Sequence, residues 1–375
     1  MAGIYIHIPF CKTRCSYCDF YTGTDETQMD AFVGALCTEA RIRKDEIHES
    51  VQSIYFGGGT PSRLRSGHLE KIFDALQQHF TIESTAEITV EANPDDLTEA
   101  YLDRLSRLPV NRLSIGIQSF NDEELTFLSR RHTAREAIDA VKRCRGHGFE
   151  NISIDLMYGL PNQTEAIWHY NLTQAIALNL PHISSYHLIY EEKTKMYSLL
   201  QAGKIKPVDE EVSTTLFAIL IDRLTSQGYL HYEISAFGKE GYFSRHNSAY
   251  WTGEKYLGLG PAAHSFDGDS RSLNIPSLTR YIKGIESGKL YREIEQLGLS
   301  EKYNEAVLTG LRTMWGLDLT TLTTRFGEEF HRYCLQNAQK YLERKMLKVE
   351  GDRLKLTRDG IFISDGIMSD LMWVG

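Results

Sequence analysis

Apolar and β-branched residues gather in short runs along the first half of the chain: Ile4–Ile8, Ser53–Phe56, Glu87–Glu91, Arg112–Gln118, Ile152–Met157 and Ile183–Ile189. These runs are nearly continuous rather than alternating, as in strands whose faces are covered by helices. Between them lie amphipathic segments at Met29–His48, Ser66–His79, Thr98–Arg107, Ala134–His147 and Glu165–Leu178. Strand followed by helix, repeated about six times, predicts consecutive βα units. Their crossovers should be right-handed and their sheet parallel, so the fold class is α/β.

The alternation fades after about residue 190. A stretch rich in glycine and aromatic residues runs from Gly228 to Phe266, followed by a polar segment at Asp267–Ser277. From about Ser300 the chain turns helical again: Thr320–Phe326 leads into a helix near Glu328–Arg344. Leu347–Leu356 reads as a hairpin turning at Gly351-Asp352, and a last helix is expected over Thr357–Met372. Helices followed by a hairpin predict a small winged-helix-like module.

The formal net charge is −9, from 41 basic and 50 acidic residues. That argues against broad binding to a nucleic-acid backbone, which needs a basic surface. No apolar run approaches the roughly 20 residues that span a bilayer. Met1–Tyr5 carries no basic, signal-like start, so the cytoplasm is the expected compartment.

Of the six cysteines, Cys37, Cys144 and Cys334 are scattered and read as small buried hydrophobes. Cys11, Cys15 and Cys18 are different: they directly follow the first predicted strand with C-x3-C-x2-C spacing. Thiolates this close belong to one loop around a common object, and soft thiolates favour iron–sulfur clusters or zinc. A structural zinc site wants four ligands, and no second Cys/His pair with zinc spacing follows. A fully protein-bound cubane also takes four thiolates, so three would leave one iron open to another ligand. Three reduced cysteines packed in a turn are the plainer alternative.

The second strand runs into Gly57-Gly58-Gly59-Thr60-Pro61, where glycines let backbone approach a ligand closely. The spacing excludes a P-loop, because no Lys-Ser/Thr pair follows. Glu91 and Gln118 end the third and fourth strands, and Asp155 lies in the fifth. Together they put acids and an amide at the rim where parallel sheets and barrels bind ligands. A carboxylate inside an apolar strand needs a partner, and Arg130 is a candidate for Asp155.

The cysteine spacing, with Tyr5-Ile-His-Ile-Pro-Phe-Cys11 around it, resembles the radical-SAM superfamily. It is similar in particular to the HemN/HemW branch, which holds oxygen-independent coproporphyrinogen III dehydrogenases and haem chaperones. The resemblance implies a partial (β/α)6 barrel over residues 1–230, a connecting region at 231–299 and a C-terminal HemN-type domain at 300–375. It implies a [4Fe–4S] cluster on Cys11, Cys15 and Cys18, with S-adenosylmethionine on its open iron. Gly58, Gly59 and Thr60 match the positions that take the amino acid part of S-adenosylmethionine. Tyr5, Tyr17, Glu91, Gln118, Arg130 and Asp155 also fall where the family places its contacts.

Two features separate the relatives within this branch. The dehydrogenases carry a fourth cysteine two residues after the third; here that position is Phe20. His246-Asn-Ser-Ala-Tyr250-Trp251 resembles the H-N-x-x-Y-W motif of the haem chaperones, which makes His246 the implied haem residue. Read from chemistry alone, the same segment is a polar loop with a core tryptophan. His264, in the Gly-rich segment Tyr256–Ser265, reads as structural. The expectation is therefore a protein that binds haem and passes it to apo-haemoproteins, with porphyrinogen dehydrogenation as the alternative and radical turnover left open. A recipient in a respiratory complex would add transient contact at a membrane surface, and handing haem onward suits a homodimer. The acidic balance favours a lid or docking role, not nucleic acid, for the C-terminal module.

Overall fold

The computed structural model describes residues 2–374. Six strands lie side by side in chain order, all parallel: β1 (Ala2–Ile8), β2 (Val51–Gly58), β3 (Ile82–Ala92), β4 (Arg112–Gln118), β5 (Ile152–Tyr158) and β6 (His182–His187). Helices α1 (Met29–Ile42), α2 (His68–His79), α3 (Glu99–Leu105), α4 (Asp122–Phe127), α5 (Ala134–Gly146) and α6 (Glu165–Ala177) return the chain between them. The α/β expectation holds. Side-chain caps set several helix starts: Thr98, Asn121, Thr133 and Thr164 each accept a first-turn N–H, and Thr133 with Glu136 forms a capping box. The period-based reading passes over α4, whose six residues are too few to show a repeat.

The parallel strands do not close on themselves. After α7 (Lys195–Gln201) and α8 (Glu210–Thr225), strands β7 (Leu230–Glu233) and β8 (Ala236–Gly238) extend the sheet beyond β6, β8 pairing antiparallel with β6 and β7 antiparallel with β8. Helix α9 (Arg245–Trp251) then leads to β9 (Lys255–Leu259), which pairs in parallel with the free side of β1. β10 (His264–Phe266), β11 (Ser270–Asn274) and, past α10 (Leu278–Glu286), β12 (Arg292–Gln296) complete twelve strands. The stretch at 231–299 thus feeds both edges of the main sheet.

Residues from Ala2 to Ile285 build the first apolar core, in which Trp168 is fully buried and donates its indole N–H to Leu216 O at 2.9 Å. A second core runs from Tyr303 to Leu371. It comprises α11 (Leu299–Leu311), α12 (Leu319–Phe326), α13 (Glu328–Glu343), α14 (Arg358–Ile361) and α15 (Ser364–Leu371). These pack with a small sheet of β13 (Leu317–Asp318), β14 (Leu347–Glu350) and β15 (Arg353–Leu356). The expected hairpin is β14–β15, whereas the expected last helix is split in two.

A buried ionic knot fixes β9 against α1. The Arg43 guanidinium donates to Glu39 (3.1 Å), Gly258 O (2.7 Å), Ser265 Oγ (3.0 Å) and Glu46 (2.8 Å). Glu39 also accepts from Gly260 N–H (2.8 Å), Asn274 Nδ2 (2.7 Å) and the Tyr281 hydroxyl (2.6 Å). Removing one partner of such a pair strands the other charge in a dry interior. Arg43→Met is therefore expected to cost about 3–5 kcal/mol, read as a lower urea midpoint. An unchanged midpoint would refute the assignment.

Candidate active site

A cavity of about 810 Å³ opens at the C-terminal ends of the parallel strands. Its wall brings together Cys11, Cys15, Tyr17, Cys18, Gly58, Gly59, Thr60, Glu91, Gln118, Arg130 and Asp155. The chain from α14 into α15 closes one side with Ile361, Phe362, Ser364 and Asp365.

The loop after β1 is tied down along its length. Cys11 N–H donates to Gly23 O (2.9 Å), Gly23 N–H to Pro9 O (2.8 Å), and Met196 N–H to Ser16 O (2.8 Å). Gly59 N–H donates to Ile8 O and Thr60 N–H to Phe10 O, both at 2.8 Å, so the glycine turn is sewn to the residues just before Cys11. Side chains then reach the thiols: the Thr60 hydroxyl lies 3.4 Å from Cys11 Sγ, and Arg130 Nη1 lies 3.2 Å from Cys15 Sγ. Burial pushes the Cys11 thiol up and the Cys18 thiol up to about 11.

The donor set suits a cubane better than a single ion. Among the described residues, no three His, Cys, Asp or Glu groups converge closely enough to hold one ion. One tetrahedral zinc would need every sulfur about 2.3 Å from a single point, whereas a cubane presents each thiolate with its own iron. Arg130 supplies an independent sign of an anion site. Its Nη2 donates to Asn93 Oδ1 and Gly116 O, yet its buried Nε has no partner. A carboxylate such as that of a methionine moiety would satisfy it.

Gln118 sits at a register shift in β4 with a φ of 72°, in the left-handed region. Glu91 accepts from the Tyr55 hydroxyl at 2.7 Å. Burial raises the Glu91 carboxyl to about 7, partly offset by that hydroxyl, and raises Asp155 to about 6. Asp155 takes the Ser114 hydroxyl at 3.4 Å, and no ion pair joins it to Arg130. The expected Asp155–Arg130 pairing is corrected: the two Nη atoms of the guanidinium go to Cys15, Asn93 and Gly116 instead.

These raised carboxyls give a pH signature. A carboxyl whose folded value lies above its unfolded value stabilises the fold at low pH, and that contribution is lost as pH rises through the folded value. The Glu91→Gln variant escapes this loss. Its melting temperature relative to the parent apo-chain is expected to climb between pH 5 and pH 8, bracketing the value of about 7. A constant difference across that range would contradict the raised carboxyl.

Tyr5 and His246 do not line the cavity. His246 is 1% exposed, with Nδ1 2.8 Å from Ser53 Oγ and Nε2 2.9 Å from the Tyr250 hydroxyl. Burial lowers its pKa to about 3, so the ring is neutral. Neither nitrogen is open to an iron here, which departs from the expected haem residue. Tyr5 is stacked beside it and bonded to His7. His264, by contrast, is exposed. Phe20, at the position of the missing cysteine, is 59% exposed at the cavity mouth. Sequence reasoning passed over Asn93 and Arg312. Asn93 stood two residues after Glu91 in the same rim segment, whereas Arg312 arrives from the second core and had no local signal.

The comparisons agree with this geometry. Residues 5–170 match the Radical SAM superfamily and residues 297–363 the HemN C-terminal domain. The chain is 34% identical to the haem chaperone HemW of Bacillus subtilis over 98% of both chains. It is 35% identical to the haem chaperone HemW of Escherichia coli, covering 83% of this chain and 82% of that one. Among solved structures, coproporphyrinogen III oxidase HemN of Escherichia coli superposes with a TM-score of 0.85 at 23% identity, over 99% of this chain and 90% of that one. The fold is thus that of HemN. With three cysteines on one rim loop and likeness to HemW proteins along nearly its whole length, the chain belongs to the HemN/HemW family of radical-SAM proteins.

Proposed function

We propose that this protein holds a [4Fe–4S] cluster on Cys11, Cys15 and Cys18, binds S-adenosylmethionine beside it, and carries haem to apo-haemoproteins. Family membership implies the first two groups, and the relatives' role as haem chaperones supports the third. The observation that carries the reading is the single cavity shared by the three thiols and the polar rim. When bound, the cluster would supply the electron for reductive cleavage of a C–S bond. The chain's own residues do the rest. Arg130 offers its free Nε to the methionine carboxylate, Glu91 its carboxylate to the ammonium group, and the Gly58–Thr60 turn its backbone. Phe362 and the second core limit access of water.

For haem, the cavity mouth offers the better chemistry. Phe20 and Ile189, 59% and 65% exposed, line the same cavity as Arg14 and Arg312. An exposed ring and an aliphatic side chain in one cavity with guanidinium groups suit a flat apolar macrocycle carrying two carboxylates. Titrating hemin into the purified chain is expected to shift the Soret band at about one haem per chain. No shift would sink the haem reading. Incubating the reconstituted protein anaerobically with coproporphyrinogen III is expected to yield no product, and protoporphyrinogen would overturn the choice against the dehydrogenase.

A further inference from the structure

We infer that the segment His246–Trp251 stands behind the cavity wall and positions its charged lining: His246 acts through Tyr55 on Glu91, and Trp251 acts on Arg312. The segment is α9, capped by Ser244 and pinned to β3 because the Arg245 and His246 N–H groups donate to the Glu87 carboxylate at 3.0 and 3.1 Å. The His246 ring stacks on Tyr55 with centroids 5.1 Å apart and planes at 23°. Tyr5 stacks against both rings, at 6.4 Å from His246 and 6.3 Å from Tyr55. The Tyr55 hydroxyl reaches Glu91 at 2.7 Å, and Glu91 faces the cavity.

The backbone leaves room for this stack and little more. A Cβ on Gly57 would lie 2.9 Å from the Tyr55 ring and 3.1 Å from the Glu91 carboxyl. A Cβ on Gly3 would lie 3.0 Å from Ser53 Oγ and 3.3 Å from the His246 ring. Tyr55 is therefore clamped, with His246 on one side and the Gly57 backbone nearby. Both His246 nitrogens are spent on hydroxyls that hold the ring in plane, so it serves as a fixed wall. At the far end of α9, the Arg312 guanidinium lies 4.8 Å from the Trp251 ring centroid, and its Nε lies 3.3 Å from Glu233. Arg312 also lines the cavity. Two rings of one short helix thus each stand behind one charged cavity residue. His246 is a positioning residue, since it touches Tyr55 and not the ligand.

The inference rests on the reading of Glu91 as an S-adenosylmethionine contact. Its test uses the full-length, anaerobically reconstituted chain, with S-adenosylmethionine affinity read by equilibrium dialysis and hemin affinity by Soret titration. His246→Leu is expected to weaken S-adenosylmethionine binding about tenfold, and His246→Gln, which can bond both hydroxyls again, to recover most of it. Hemin affinity should stay within about twofold of the parent in both. Loss of the Soret shift in both variants with parental S-adenosylmethionine binding would overturn the inference. So would parental affinity for S-adenosylmethionine in His246→Leu. Should His246→Leu fail to fold, Tyr250→Phe decides, because it frees Nε2 and keeps the stack in place. It is expected to weaken S-adenosylmethionine binding about threefold with hemin unaffected. Stronger hemin binding with S-adenosylmethionine unaffected would overturn the inference. Failure of the underlying Glu91 reading looks different: Glu91→Gln itself would then bind S-adenosylmethionine like the parent.

Discussion

Changing Cys11, Cys15 or Cys18 singly to serine is expected to drop the iron content of the reconstituted chain from about four atoms to nearly none. On a cubane each thiol would answer to one iron, and a hydroxyl is a poor substitute for a soft thiolate. The loop itself should survive. It is held by backbone bonds such as Cys11 N–H to Gly23 O and Ser16 N–H to Leu128 O, which do not involve sulfur. The serine variants should therefore melt like the apo-parent while losing the cluster's visible absorbance. Cys144→Ser and Cys334→Ser serve as counter-tests, since both residues are buried far from the rim loop in sequence and belong to the two apolar cores. Those two should keep their iron and lose stability instead. Iron retained at parental levels in Cys15→Ser would remove the cluster assignment.

A comparable loss is expected from Gly59→Ala, although it leaves every thiol in place. The added Cβ would sit 2.6 Å from Ile8 O and 2.8 Å from Phe10 O. Both contacts are backbone, which cannot rotate away as a side chain would. The residues before Cys11 or the glycine turn must move, at a cost of about 1–3 kcal/mol as overpacking. That movement displaces the Cys11 thiol and the neighbouring glycine turn at once. Iron content and S-adenosylmethionine retention should fall together. Gly23→Ala, where the Cβ meets nothing within 4 Å, should leave both unchanged. Parental iron in Gly59→Ala would show that the turn does not govern the loop.

Strands with a core-facing apolar run and helices with a clear repeat were legible in the sequence. So were the rim acids, because a polar residue ending an apolar strand stands out locally. β3 begins at Ile82, earlier than expected, since its first residues are polar and lie toward the strand's exposed start. β9 to β12 were not legible. Three or five residues each, with mixed exposure, they owe their conformation to pairing with β1 and with one another. α8 reads as an apolar, β-branched stretch, Val212 to Ile221, whose helical period is weak. His246 shows the other limit. Its motif marked it as important, but only coordinates reveal that Ser53 and Tyr250 already hold both nitrogens. Which strand would pass beneath the helix is a tertiary fact with no signature in the six residues themselves.

The wall supplied by Ile361, Phe362, Ser364 and Asp365 comes from the chain running from α14 into α15, not from the segment that carries the cysteines. Phe362 packs edge-on against Phe217 at 5.5 Å, and Arg358 bridges to Asp222 at 2.6 Å, so α8 is the hinge plate on which that wall is mounted. Occupancy of the cavity and attachment of the C-terminal body are then one linked equilibrium. Whatever fills the cavity should protect the α14–α15 segment from proteases, and whatever pulls that segment away would loosen the ligand's hold from outside without reaching into the site.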